Sequence, residues 1–152
     1  MMREGVNTNN DEETGMDAAM MEKMKQVAKG TLTDHLGFEL LSAEDGRITA
    51  AFDVQPHHLA PNGFLHAASI IMLADSCCGF GCMLHLPEGA QSFTTIEIKS
   101  NHLGTARDGR VECEAKPVHR GKTTQVWDAT VTAAGKTIAL FRCTQMILWP
   151  KG

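Results

Sequence analysis

A single aspartate lies in the most apolar segment of the chain, NGFLHAASIIMLADSCCGFG, residues 62–81. On a helix, the neighbours of Asp75 at three and four positions would be Ile71, Met72, Cys78 and Gly79. None of them carries a counter-charge. A carboxylate buried without a partner has a raised pKa, which suits a general base near neutral pH. An aspartate that faces solvent or a subunit interface is the alternative, and these residues alone leave the choice open.

The same segment contains a possible oxyanion site. If a helix begins near His66, its first N–H groups have no intrahelical partner and carry the positive end of the helix dipole. Ala67 and Ala68 have minimal side chains, so their amides would stay accessible, and Asn62-Gly63 would allow a close approach. Such donors stabilise the anion that forms during acyl transfer. The alternative is that small residues simply permit close packing, and composition alone favours it.

These groups need elements that position them. The pattern predicts one long apolar helix from residue 65 to about residue 84, and such a helix must be covered on most sides. An antiparallel sheet that curls around it would cover it. The predicted strands are 38–45, 46–54, 93–103, 109–119, 122–132 and 136–149.

The order of these elements indicates the fold class. Strands precede and follow the helix without alternating with helices, which is typical of an α+β fold. We therefore expect an antiparallel five- or six-stranded sheet wrapped around one long central helix. Asp45-Gly46 predicts a hairpin between the first two strands, and short turns with glycine predict that the last four form a meander.

The N-terminal part is simpler. Residues 1–15 are rich in Asn, Asp, Glu and Gly and predict a disordered tail, followed by a single domain over 16–152. A helix is predicted over 16–29, and a helical turn follows, capped by Thr31 or Thr33.

Composition excludes several classes of function. The net charge is −4 and no run of Lys and Arg exists, so a nucleic-acid partner is not expected. The longest apolar stretch is interrupted by polar residues, which argues against a membrane span. The N-terminus is polar and acidic, unlike a secretory signal, and we expect a cytoplasmic protein. The five cysteines predict free thiols that fill tight space rather than disulfides or a metal site.

Three motifs together resemble one family. The run APNGFLHAA (60–68), followed by Leu73-Ala74-Asp75, is similar to the pattern N-x-x-G-x-L-H-G-G, a helix, then L-(A/V)-(D/E). TTIE (94–97), followed by HLGTA (102–106), and HRGKTTQVWDATV (119–131) match later segments of the same family. In this order and spacing they resemble the hotdog-fold thioesterase superfamily, and most closely its phenylacetate-degradation type of acyl-CoA thioesterase.

The resemblance implies a hotdog fold, assembly into a homodimer and often a homotetramer built as a dimer of dimers, and active sites between two subunits. It assigns Asp75 as the catalytic carboxylate and the Ala67 backbone amide as the oxyanion donor. It further implies that His66 shapes the helix start and that Thr95 positions water or the carboxylate. The implied activity is hydrolysis of the thioester of a small or medium acyl-CoA or aryl-CoA. Asp75 acts either as general base or as nucleophile.

One position departs from the family pattern. Ala60 stands where the family usually has Asn or Gln. Asn62, two residues further on, is the residue that could take over this polar role.

The CoA moiety of the substrate needs partners for its phosphates. His119, Arg120, Gly121 and Lys122 lie at a predicted turn before a strand, and we expect them to bind CoA. Ordinary solvated turn residues are the alternative. No metal and no separate cofactor are expected.

Two other functions stay open. Some hotdog hydratases and dehydratases use an aspartate and a histidine with four residues between them; a similar arrangement of these residue types occurs in the segment from Asp53 to His58. A non-catalytic hotdog protein that binds acyl-CoA is the other alternative, and the alanine at position 60 mildly favours it.

Overall fold

The computed structural model describes the backbone of residues 11–152 and the side chains from residue 18 onward. Its helices are α1 (Asp11–Ala28), α2 (Leu32–His35) and α3 (Ala67–Leu84). Its strands are β1 (Glu39–Glu44), β2 (Arg47–Asp53), β3 (Ser92–His102), β4 (Arg110–Arg120), β5 (Thr124–Ala133) and β6 (Lys136–Leu148). A single 3-10 turn, Pro56–His58, lies between β2 and α3.

The six strands form one antiparallel sheet in the order β1-β2-β4-β5-β6-β3. The predicted sheet around a long central helix is confirmed. The predicted four-strand meander is wrong, because β3 pairs with β6 and β4 pairs with β2. The reason lies in residues 103–109. A hairpin loop usually has two to five residues, and this longer connection carries the chain away from β3 to another part of the sheet.

Helix α3 packs against the inner face of the sheet. Small residues on its sheet-facing side, including Ala74, Cys77 and Cys78, are fully buried. By length and composition α3 could span a membrane, but half of it is buried inside the protein, and it is the core helix. All five cysteines are free and buried, as predicted.

The N-terminal region differs in part from the prediction. Helix α1 begins at Asp11, five residues before the predicted start. Residues 1–10 of the predicted tail lie outside the described residues. Thr31 is the N-cap residue of α2, but its hydroxyl bonds the Ala28 carbonyl and the Thr33 hydroxyl instead of an N–H of that helix. Helix α1 packs against α2 and β1.

Gly81 determines how closely α3 approaches the sheet. A Cβ at this position would lie 2.5 Å from the ring of Trp127, a buried residue of β5. No side chain fits in that space unless the indole moves, and the indole N–H is held by Gln125.

We therefore expect Gly81→Ala to lower the free energy of unfolding by about 1–3 kcal/mol, because it overpacks the core. Urea denaturation followed by circular dichroism measures this change. The matched control is Gly79→Ala on the same helix, where the nearest atom to the added Cβ is Phe93 Cζ at 3.4 Å. Equal stability of the two variants would contradict the role assigned to Gly81.

Candidate active site

Asp75 lies in the middle of α3 and is partly buried. Its neighbour in sequence, Ala74, is completely buried. Burial raises the pKa of the Asp75 carboxyl, and the hydrogen bond from Thr95 lowers it by a smaller amount. The net shift is upward. Asp75 is thus partly buried at a position where the sequence left the choice between burial and exposure open. A raised pKa of this kind suits a general base.

Thr95 contacts Asp75 from strand β3. Its hydroxyl oxygen lies 3.4 Å from Asp75 Oδ1 and 2.8 Å from Gln145 Oε1. A hydroxyl has one hydrogen, so these two acceptors compete for it, and the shorter contact is to Gln145. Thr95 can therefore turn its hydrogen between the amide and the carboxylate.

Gln145 was missed at the sequence level. It is fully buried on β6, and it is the cross-strand partner of Thr95. The register of this strand pair shifts between Thr95 and Glu97, and such a bulge re-aims nearby side chains. The sequence does contain one indication of this role. Gln145 lies among the inward-facing residues that alternate along β6, with Cys143 and Ile147, and a buried polar side chain there needs a hydrogen-bond partner.

A cavity of about 620 Å³ opens beside these residues. Asp75 and Thr95 form part of its wall, and most of the remaining wall is apolar. The apolar side chains come from α1, α3 and β3, and they are Met20, Met24, Val27, Phe80, Met83, Leu84 and Phe93. The Asp75 carboxylate therefore lies in the wall of a mainly apolar cavity.

The start of α3 offers one unpaired backbone donor. His66 is the N-cap residue, and its Nδ1 accepts a hydrogen bond from the Ala68 N–H at 2.9 Å. The Ala68 amide is therefore occupied, contrary to the expectation that it stays accessible. Within residues 18–152, the Ala67 N–H has no acceptor, and Ala67 is exposed. The donor expected at Ala67 is present, and His66 shapes the helix start by capping it.

His58, which the sequence suggested only as part of a hydratase-like pair, anchors this helix start. Its backbone carbonyl accepts the His66 N–H and the Ser69 hydroxyl, each at 2.9 Å. Its buried ring accepts from the Gln55 N–H and donates to the Leu36 carbonyl. Burial lowers the pKa of this imidazole, which fits a neutral ring with both nitrogens bonded.

The hydratase-like pair is not assembled as a catalytic site. Asp53 is exposed and accepts hydrogen bonds from Arg110 at 3.2 Å. His58 is buried with both ring nitrogens engaged, and His57 is exposed beside His35.

Asn62 has a local role in the structure. Its side-chain oxygen accepts the Phe64 N–H at 3.1 Å, which closes a turn at Gly63, where φ is +82°. Asn62 is exposed, and the Ala60 backbone bonds within the same turn. Within the described residues, no side-chain contact joins Asn62 to Asp75.

The two predicted catalytic groups are far apart within one chain. Asp75 follows Ala67 by eight residues on a continuous helix, which separates them by about 12 Å along its axis. One carbonyl carbon cannot contact both groups in the same chain.

Comparison with known proteins identifies the family of the chain. Residues 62–140, just over half of the chain, match the model of the thioesterase superfamily. The chain belongs to this superfamily. The predicted family and the predicted class of enzyme, a thioester hydrolase, are confirmed at this level.

Individual relatives of this thioesterase-superfamily chain support the fold. The chain is 30% identical to the 1,4-dihydroxy-2-naphthoyl-CoA hydrolase of Escherichia coli K12, over 84% of this chain and 94% of that protein. A crystal structure of a mutant thioesterase from Pseudomonas aeruginosa is similar, with a TM-score of 0.80, 29% identity and coverage of 84% and 93% of the two chains. A mutant phenylacetic acid degradation protein from Thermus thermophilus is similar with a TM-score of 0.70, 26% identity and coverage of 76% and 97%. The hotdog fold is confirmed.

In this thioesterase-superfamily chain, the residues expected to bind CoA lie at the exposed β4–β5 turn. Arg120 donates to Asp45 at 2.9 Å, so its guanidinium already has one carboxylate partner. The Lys122 ammonium lies 5.7 Å from the Trp149 ring centroid. A Cβ on Gly121 would lie 2.5 Å from Nε2 of the exposed His119 ring, which would have to move, and 3.0 Å from the Thr124 carbonyl oxygen.

A second cationic group lies nearer to the helix start. The Arg107 guanidinium lies 4.2 Å from the ring centroid of Phe64, in the loop that leads to Ala67. Arg107 also lines a groove of about 660 Å³ together with Lys136. Arg107 thus contacts the loop that precedes α3.

The raised pKa of Asp75 makes a prediction about stability. The folded state binds this proton more tightly than the unfolded chain, so the stabilisation is complete below the unfolded pKa and is lost as the pH rises through the folded pKa. At neutral pH the ionised carboxylate therefore lowers stability. We expect Asp75→Asn to have a higher urea midpoint than the wild type at pH 7, and the difference to shrink towards about pH 4.

The control for this measurement is Asp108→Asn, in an exposed loop. It should change the urea midpoint little at either pH. A less stable Asp75→Asn at pH 7 would contradict the burial cost assigned to this carboxylate.

Proposed function

We propose that this protein hydrolyses the thioester bond of an acyl-CoA. The observation that carries the proposal is a partly buried carboxylate, Asp75, in the wall of an apolar cavity on a helix whose first amide, at Ala67, is unpaired. An apolar cavity suits the acyl group, the carboxylate suits activation of water, and the amide suits the oxyanion. In this proposal coenzyme A is part of the substrate and is not a separate cofactor.

The proposed reaction follows from these three groups. Asp75 removes a proton from water, and the water oxygen forms a bond to the thioester carbonyl carbon. The negative charge on the carbonyl oxygen is stabilised by the Ala67 N–H and the helix dipole. The C–S bond then breaks, the thiolate takes a proton, and the products are the free acid and CoA. Alternatively, an Asp75 oxygen attacks the carbonyl carbon, and the C–S bond breaks to release the CoA thiolate, which takes a proton. Water then hydrolyses the resulting anhydride to the free acid and the Asp75 carboxylate.

We further propose that each site is built from two chains. The separation of about 12 Å between Ala67 and Asp75 along α3 supports a site in which one chain supplies the amide and another the carboxylate. The edge strand β3 supports association, since Ile96 and Ile98 on it are 54% and 43% exposed. A homodimer is the smallest assembly that meets this need, and we propose a dimer of dimers as the tetramer. The five free, buried thiols fit a cytoplasmic location.

That the β4–β5 turn binds the CoA phosphates stays a prediction. Lys122 and His119 are exposed there, while Arg120 would have to exchange Asp45 for a phosphate. Arg107 and Lys136, which line one groove, are a second group of cations for the same role. In both places the positive charges are on exposed side chains that can reach a ligand.

The carboxylate is tested by Asp75→Asn. We expect kcat to fall by about 10²-fold or more, because a neutral amide cannot accept the proton of water. In the wild type, kcat/KM should decline as the pH falls through the pKa of Asp75, which burial holds above its ordinary value. Steady-state hydrolysis of a panel of acyl-CoAs, followed by thiol release, measures both. Glu88→Gln, an exposed carboxylate outside the cavity and the groove, is the control and should retain activity.

The same assay separates the alternatives. Unchanged hydrolysis in Asp75→Asn would refute the assignment. Tight acyl-CoA binding without turnover in the wild type would favour the non-catalytic binder, and hydration of an enoyl-CoA without hydrolysis would favour a hydratase.

The oxyanion donor is tested by Ala67→Pro. Proline lacks the N–H but is tolerated at the first helical position, and His66 already has the extended backbone that a residue before proline prefers, with φ −69° and ψ 136°. We expect kcat to fall by about 10²–10³-fold while the melting temperature stays close to that of the wild type. Ala67→Gly keeps the N–H and is the control.

Mixing the two inactive variants tests the two-chain site. In a mixed dimer of Asp75→Asn and Ala67→Pro, one site carries both defects and the other carries none. Random pairing after co-refolding should restore about one quarter of the wild-type activity. If amide and carboxylate came from the same chain, the mixture would stay inactive.

A further inference from the structure

Helix α1 forms one wall of the cavity beside Asp75. It packs against α2 and β1, and the cavity lies between it and α3. The α1 side chains that line the cavity are Met20, Lys23, Met24 and Val27. Val27 is 72% exposed and Met20 is 42% exposed, so the α1 wall is only partly supported by packing.

Gly79 forms part of the opposite wall. It lies four residues after Asp75 on α3, so both residues share one face of the helix, and both line the cavity. Glycine in a helix interior destabilises the helix relative to alanine. Its presence at this position therefore needs a reason.

Packing explains why residue 81 is glycine, but it does not explain why residue 79 is glycine. A Cβ on Gly81 would lie 2.5 Å from the Trp127 ring, a separation that real structures do not tolerate. A Cβ on Gly79 would lie 3.4 Å from Phe93 Cζ, which is an ordinary contact. A longer side chain at position 79 would extend into the cavity next to Asp75. The absence of a side chain there keeps the cavity open.

We propose that Gly79 and the α1 side chains Met20, Met24 and Val27 form the acyl subsite, and that this subsite selects an unbranched, uncharged acyl chain of medium length. The inference rests on the proposed thioester hydrolysis and adds to it the class of acyl group. Helix α1 and Gly79 would determine specificity, and Asp75 would perform the chemistry.

The chemistry of the wall favours this class. Met20, Met24 and Met83 are unbranched and flexible, so they can adapt to a flexible chain. Among the described residues that line the cavity, Lys23 is the one cation, and its methylene stem can cover an apolar ligand while the ammonium stays in water. The volume of about 620 Å³ is within the usual range for small-molecule sites and exceeds what an acetyl group needs.

The first test is a chain-length profile of the full-length protein. kcat/KM is measured for acetyl-, hexanoyl-, decanoyl-, benzoyl- and adipoyl-CoA. Burial of each methylene should raise kcat/KM by about fourfold until the subsite is full. Gly79→Leu should lower the ratio of decanoyl-CoA to acetyl-CoA activity by about tenfold or more, and Gly79→Ala should lower it less. Gly79→Ala should not lower the melting temperature, because alanine favours the helix.

The second test changes the α1 wall without touching α3. Val27→Glu places a charge in the subsite at an exposed position and should lower the same ratio by raising KM for decanoyl-CoA. Lys25→Gln, an exposed residue of α1 outside the cavity, makes the same change in net charge and should leave the ratio unaltered.

The outcomes separate the two proposals. If the wild type hydrolyses no acyl-CoA, the proposed function fails. If it hydrolyses them but neither Gly79→Leu nor Val27→Glu alters the chain-length ratio, this inference fails alone. A preference for benzoyl-CoA or adipoyl-CoA over decanoyl-CoA would overturn the assignment of an unbranched, uncharged chain.

Discussion

Helix α3 can lie close to the sheet because small residues are interspersed among the larger ones on its buried face. Ala74, Cys77 and Cys78 are completely buried, and Gly81 leaves room for the ring of Trp127. The positions of the candidate catalytic groups depend on this contact, since α3 carries Ala67 at its start and Asp75 in its middle. A rotation of α3 about its axis would move Asp75 away from Thr95 and out of the cavity wall.

The partial burial of Asp75 lowers the stability of the fold and favours proton acceptance by the carboxylate. The low polarity around it raises the pKa of the carboxyl, so the ionised group weakens the fold at neutral pH. The same raised pKa makes the carboxylate a better proton acceptor. The nearby polar groups do not cancel this effect, because the Thr95 hydroxyl is shared with Gln145, which is the closer acceptor. The local structure therefore keeps the Asp75 carboxylate in surroundings that disfavour its charged form.

Much of the fold could be predicted because the signals were local. Period-two alternation and turn glycines located all six strands within a few residues, and the apolar run located α3. The pairing of β3 with β6 could not be predicted in this way, because alternation locates strands without showing which strands pair, and the connection over residues 103–109 carries the chain to another part of the sheet. For the site, the types and positions of Asp75 and Ala67 suggested roles, and the family resemblance added Thr95. Gln145 was missed, because its importance comes from a cross-strand contact 50 residues away.

The sequence by itself determined the chemical groups and their order along one helix. A carboxylate eight residues after the first helical amide implies a separation of about 12 Å in any α-helix, whatever surrounds it. Only the tertiary structure decided which groups are accessible. His66 occupies the Ala68 amide and leaves Ala67 free, and β3 brings Thr95 to Asp75. The physical reason is that hydrogen-bond satisfaction and burial depend on neighbours in space, which come from distant parts of the chain.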